Sequence, residues 1–249
     1  SRSYLISFLK LGKILNNNKT SIICSAMFIS DFFCSLLTKE LINHFVTIRL
    51  DLFRFYKGNP IKFFIILNFL KFTPNIIFIS KKHYKKYINQ YKNNLTANFL
   101  FNTIHTGINE KSFKLHVTKR INNIKSNEIK FTIVSRIVRE KGIIKFLSSH
   151  KNIIKKNNFM ISIYGEGNLV KELIDYIALN ELSQNIFYKG YTSNILRVYE
   201  NTDILIFPSL SEGFGRVAFE AVLNGSFVLW NYESSIKSDF SFLKSMIMD

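Results

Sequence analysis

Residues Phe207–Ala221 read F-P-S-L-S-E-G-F-G-R-V-A-F-E-A, and the order of residue types in this stretch sets the fold. Asp203–Phe207 reads as a strand, and its run Ile204–Phe207 is apolar on both faces, as a strand buried in a parallel sheet is. Pro208 and Ser209 end it, a glycine-containing loop follows, and a helix is predicted over Phe214–Leu223 with Asn224-Gly225 at its exit. Gly213 and Gly215 let another molecule approach the backbone closely and leave amides open at the start of that helix. A helix start holds unpaired N–H donors and about half a positive charge, so it suits an anion such as a phosphate.

The same alternation continues upstream. Strands are predicted at Ile129–Ser135, Phe159–Tyr164 and Asn185–Tyr188, and a last one at Phe227–Trp230. Helices are predicted from Gly142–Ser149 onward, at Asn168–Leu179 (Leu169, Leu173 and Ile177 recur at fourfold spacing) and at Ser193–Tyr199. Strand–helix alternation with short connections implies a parallel sheet covered on both faces. The first hundred residues read as α/β as well, with strands at Ser21–Cys24, Phe45–Arg49 and Ile76–Ser80. Ser80 is placed to cap a helix carrying Lys81, Lys82, Lys85 and Lys86. Asn102–Asn109 and the Lys- and Asn-rich Lys111–Asn127 read as a connector, which sets a boundary near residue 108: domains 1–108 and 109–249.

In parallel α/β sheets, ligands bind at the carboxyl ends of strands. Ser135–Gly142, S-R-I-V-R-E-K-G, stands at such an end and offers Arg136 and Lys141. Two cations on one loop neutralise a diphosphate through charge-assisted hydrogen bonds, without a metal. Glu212 lies just before this helix and Glu220 two turns along it, which puts the two carboxylates roughly 10–12 Å apart at about 1.5 Å per residue. That matches the span from hexose to ribose across a diphosphate. Taken alone, the spacing also fits a dipole-complementing Glu212 and a merely solvated Glu220. Gly165-Glu166-Gly167 is a tight turn after the second strand and by itself marks only a β–α junction.

The order Ser135–Gly142, Tyr164–Gly167, Phe187–Tyr191 (F-Y-K-G-Y) and Tyr199–Ala221 resembles the C-terminal domain of retaining GT-B glycosyltransferases of the group-1 (family 4) class. The likeness covers about residues 128–230 and extends more weakly back through Thr103–Phe113. It implies two Rossmann-like α/β/α domains around a cleft, the N-terminal one incomplete, and a nucleoside-diphosphate sugar as donor. By the same likeness Arg136 and Lys141 bind the diphosphate and Glu212 the donor sugar, and these three carry the catalysis. Gly165, Gly167, Gly190, Tyr191, Gly213, Phe214, Gly215 and Glu220 complete the donor site, with Glu220 on the ribose and Arg49 as an acceptor-side candidate. The transfer would be retaining and metal-independent, without a cofactor. Relatives exceed this chain at both ends, and the chain opens on Ser1, so the sequence is expected to be shortened front and back. The alternative is an inactive chain that binds sugar nucleotides or a partner.

Charge and composition narrow the partners. The net charge of +17 is uneven: residues 1–110 hold 15 Lys/Arg against 4 Asp/Glu, and the remainder 19 against 13. The basic first part suggests an anionic membrane surface and a saccharide or lipid-linked acceptor, as in cell-surface polysaccharide assembly. No nucleic-acid motif accompanies the charge, so nucleic acid is set aside. Cys24 and Cys34 lack further ligands at metal spacing and read as two buried thiols in a reducing compartment. The longest apolar runs fall short of the ~20 residues needed to span a bilayer. The expectation is a cytoplasmic protein, or one peripheral at the inner face of the cytoplasmic membrane.

Overall fold

The computed structural model describes residues 2–17, 22–26, 28–37, 44–49, 75–79, 100–103, 129–210, 212, 215–231 and 247–248, with isolated positions between 59 and 65 and between 84 and 89. The chain divides into two units, Ser1–Thr106 and Gly107–Asp249.

In the first unit, strands β1 (Ile23–Ala26), β2 (His44–Ile48), β3 (Asn75–Phe78) and β4 (Leu100–Thr103) form a parallel sheet in chain order. The strand β4 takes Leu100–Thr103, so Asn102 and Thr103 pair with Ile77 and Phe78 rather than opening the connector expected at 102. Helices α1 (Arg2–Asn17) and α2 (Phe28–Leu37) precede and follow β1. The sequence reading assigns neither helix: the apolar run Ile22–Leu37 is strand at one end and helix at the other, so a single period never emerges. Burial alternates along β2, where His44, Val46 and Ile48 point inward. Phe78 packs on the buried Tyr87 at 5.4 Å between ring centroids. Cys34 is buried beneath α2, whereas Cys24 on β1 is exposed, which corrects the expectation of two buried thiols. The Ser25 hydroxyl lies 2.7 Å from His44 Nε2 and also bonds Asp31. Burial raises the Asp31 carboxyl to about 6, with the Ser25 bond opposing the shift. The cap at Ser80, the Lys81–Lys82 start of its helix and the connector Lys111–Asn127 lie outside the described residues.

The second unit holds β5 (Phe131–Val134), β6 (Ile161–Tyr164), β7 (Ile186–Gly190), β8 (Ile204–Phe207), β9 (Phe227–Trp230) and β10 (Ile247–Met248). Their order in space is β7-β6-β5-β8-β9-β10, and every pairing is parallel. Counted from β5, this is the 3-2-1-4-5-6 order of dinucleotide-binding folds, whose direction reverses between the first and fourth strands. Helices α3 (Ile143–Lys156) and α4 (Val170–Leu179) close one face over a core that includes Ile133, Leu147, Ile163, Leu173 and Ile206. Helices α5 (Ile195–Glu200) and α6 (Arg216–Leu223) serve a second core of Tyr199, Leu205, Phe207, Ala218, Ala221, Val228 and Trp230. Neighbouring residues of one strand thus feed different cores, Ile206 one and Phe207 the other, because successive side chains leave a strand on opposite faces.

Candidate functional site

The reversal of strand order puts the loops that follow β5 and β8 side by side. The first loop is fixed from beneath by the turn after β6. Ile137 donates to the Glu166 carbonyl (2.8 Å), Leu169 to the Ile137 carbonyl (3.1 Å), and Ser135 to the Tyr164 carbonyl (3.1 Å). Gly165 and Gly167 make this contact possible. A Cβ on Gly165, whose φ is +138°, would lie 1.8 Å from the Ser135 carbonyl oxygen, and one on Gly167 would lie 2.2 Å from that of Ile137. These two glycines therefore let the turn seat against the loop that carries Arg136.

Beyond Ile137 the chain makes a 3₁₀ turn over Arg139–Lys141 and leaves it through Gly142, whose φ of 67° serves both as exit from the turn and as cap of α3. The Leu210 amide donates to the Glu140 carbonyl (3.0 Å), which seats the β8 loop on the β5 loop. That contact brings Lys141 and Glu212 together. The Lys141 ammonium forms a salt bridge with Glu212 Oε1, both side chains being largely buried. The same oxygen accepts a hydrogen bond of 2.9 Å from the buried Ser209 hydroxyl. Arg136 is exposed on the β5 loop.

Glu220 has a different anchor. Its Oε2 accepts a hydrogen bond of 2.8 Å from the Tyr199 hydroxyl, and Tyr199 is fully buried. Burial, and then the adjacent Glu220 charge, push the Tyr199 phenol far up, so it stays a donor. This bond spans 21 residues, and no local spacing announces it; sequence reasoning misses Tyr199 as a partner for that reason. Ser209, in P-S-x-x-E, was open to detection, since a hydroxyl three residues before a carboxylate in a loop is within reach of it. Tyr199→Phe should cost about 1.5–3 kcal/mol of stability in a urea titration, the usual scale for a hydrogen bond to a charged group. A cost below about 0.5 kcal/mol would mean that the phenol does not hold the carboxylate.

The helix after the glycine loop starts at Arg216, not Phe214, because Gly215 sits in the left-handed region at φ 74° and can only cap it. Glu212 stands in the loop ahead of this helix, as the sequence reading has it. Gly213 and Phe214 lie outside the described residues. Gly190 ends β7 at φ 71°, with nothing within 4 Å of where a Cβ would stand, and Tyr191 beyond it is exposed. Arg49 is exposed just past β2, in the first unit. Among the described residues, no group of three His, Cys, Asp or Glu side chains is placed to hold a metal ion.

Residues 116–235 match the family described as glycosyl transferases group 1. That stretch is similar to a group 1 glycosyl transferase domain. The chain is 29% identical over 118 residues to the poly(glycerol-phosphate) alpha-glucosyltransferase of Bacillus subtilis, covering 47% of this chain and 18% of that protein. It is 27% identical over 131 residues to the UDP-Gal:alpha-D-GlcNAc-diphosphoundecaprenol alpha-1,3-galactosyltransferase of Escherichia coli, covering 49% of this chain and 34% of that one. Among solved structures it resembles a variant of S. aureus TarM in complex with Fondaparinux, alpha-GlcNAc-glycerol and UDP. There the TM-score is 0.64 at 24% identity over 84% of this chain and 41% of TarM. The chain thus spans about a third of one of these curated relatives and less of the other, and the fold is that of GT-B glycosyltransferases.

Proposed function

We propose that the group 1 domain binds a nucleoside-diphosphate sugar at the strand reversal and delivers its sugar to an acceptor hydroxyl. The observation that carries this reading is the meeting of Lys141 and Glu212 from two separate loops at the carboxyl ends of β5 and β8. A cation and a carboxylate held together there suit a ligand with a phosphate at one end and hydroxyls at the other. Lys141 and Arg136 oppose the diphosphate, aided by the amides that lead into α6, Gly213, Phe214 and Gly215 among them. Glu212 accepts from sugar hydroxyls. Glu220, aimed by Tyr199, accepts from the ribose. The open space at Gly190 and the exposed ring of Tyr191 receive the base.

As the glycosidic bond to the leaving group lengthens, charge builds on the diphosphate, and Lys141 and Arg136 stabilise that charge more than the ground state. The reaction retains configuration and needs neither cofactor nor metal. The acceptor is a saccharide, polymer or lipid-linked oligosaccharide of the cell surface, a reading supported by the poly(glycerol-phosphate) and GlcNAc-diphosphoundecaprenol in the names of the relatives. The site of action is the cytoplasmic face of a membrane. A thermal-shift screen with UDP-, GDP- and ADP-sugars tests the donor reading, since a ligand at 100 times its dissociation constant adds about 2.7 kcal/mol of apparent stability. Stabilisation by one of these that survives EDTA is expected. Indifference to all three, or strict dependence on magnesium or manganese, counts against it. A turnover assay on the bound donor separates transfer from binding alone.

A further inference from the structure

We propose that Ser209 is a positioning residue, which keeps Glu212 aimed at the donor sugar when Lys141 leaves that carboxylate for the diphosphate. The role rests on the donor-site reading above and falls to a residue outside that reading. Glu212 Oε1 accepts from both the Lys141 ammonium and the Ser209 hydroxyl, the latter at 2.9 Å. A diphosphate competes for the ammonium, because two negative phosphates draw a cation through charge-assisted hydrogen bonds. It has no such pull on the hydroxyl, which is neutral and belongs to a residue only 2% exposed. Ligand binding therefore breaks one of these two bonds and spares the other.

The two donors also differ in stiffness. Lys141 closes the 3₁₀ turn and reaches the carboxylate on a flexible four-carbon stem, so its ammonium moves to a phosphate oxygen without moving the backbone. Ser209 reaches it through a single rotatable bond, from backbone that is held on both sides. Ahead of Ser209, the Asn231 amide donates to the Phe207 carbonyl (3.2 Å), and Asn231 Nδ2 donates to the Pro208 carbonyl (3.4 Å). That Pro208 oxygen lies so close to Gly142 that a Cβ there would stand 2.6 Å from it. Beyond Ser209, the Leu210 amide donates to the Glu140 carbonyl (3.0 Å). The hydroxyl is thus fixed relative to the loops after both β5 and β8. Without it, the departure of Lys141 loosens Glu212, and a misplacement of about 1 Å at a reacting site costs up to about 100-fold.

The test is titration calorimetry of the full chain with three pairs of probes: UDP-glucose and UDP, GDP-mannose and GDP, ADP-glucose and ADP. For the pair that binds, Ser209→Ala should weaken the sugar nucleotide about tenfold and leave the bare diphosphate within about twofold of the parent. Ser209→Cys, close in size and a weaker donor, should show the same split at about threefold, so the comparison does not hang on how one variant folds. A double-mutant cycle reads the route of the effect. In a Glu212→Ala background, adding Ser209→Ala should change sugar-nucleotide affinity by no more than about twofold, because the carboxylate through which Ser209 acts is gone. A Ser209 that only supports the loop would weaken both ligands alike, and its effect would persist in that background. Either of those results overturns the proposal, as does full sugar-nucleotide affinity in Ser209→Ala. Failure of the parent to bind any of the three pairs overturns the donor reading itself, and this inference with it.

Discussion

Gly165→Ala should destabilise the chain by about 3 kcal/mol or more in a urea titration, the largest stability effect expected of any single methyl group here. A Cβ at this position would stand 1.8 Å from the Ser135 carbonyl oxygen, far inside contact distance, and φ is +138°. The obstacle is backbone, so no rotamer change relieves it. One of two segments must move, and the Ser135 carbonyl belongs to the loop that carries Arg136 and Lys141. Gly167→Ala should behave likewise, since its Cβ would meet the Ile137 carbonyl at 2.2 Å. Gly190→Ala is the control. It too has a positive φ but faces open space, so only the left-handed strain of about 1–2 kcal/mol applies. If Gly165→Ala costs no more than Gly190→Ala, the packing account of the G-E-G turn is wrong.

The second large effect concerns binding. Lys141→Ala should weaken UDP or GDP binding by about 1.5–3 kcal/mol, roughly 10- to 150-fold, as a lost hydrogen bond to a charged group does. The salt bridge with Glu212 sharpens this test. Without ligand, Lys141 is already neutralised by Glu212, so a diphosphate must displace a carboxylate to reach it. Glu212→Gln removes the competitor. That variant should bind the bare nucleoside diphosphate at least as tightly as the parent, yet lose affinity for the sugar nucleotide relative to it. Titration calorimetry with both ligands reads the difference. A Lys141→Ala affinity for the diphosphate within threefold of the parent would remove Lys141 from the site.

The second half of the fold was legible in the sequence because every element there carries its own signal. Ile204–Phe207 is short, apolar on both faces and bounded by Pro208; α4 repeats Leu173 and Ile177 at fourfold spacing. What the sequence hides is contact at long range. The Tyr199–Glu220 bond and the seating of Leu210 on Glu140 depend on which strands become neighbours, and strand order is not written locally. The start of α6 was misplaced for a local reason. Gly215 tolerates a left-handed cap, and Phe214 ahead of it reads equally well as a first helical residue. In the first unit the signals are weaker: α1 mixes lysines into its outer stripe, and β4 ends on Asn102 and Thr103, residues common in loops.

The arrangement of β1, α2 and β2 has a consequence for handedness. Parallel strands joined through a helix cross over in one sense, so α2 is committed to one side of the sheet. Ser25, His44 and Val46 point to that side with Asp31 and Cys34, and α1 lies beside α2. The neighbours of these strand residues, Cys24, Phe45 and Thr47, necessarily point the other way. The two cysteines therefore report on opposite sides of one sheet. A thiol reagent reaches Cys24 in the folded chain, whereas Cys34 is shielded behind its own helix until the unit opens, so the chain carries an internal pair of labels, one for surface and one for unfolding.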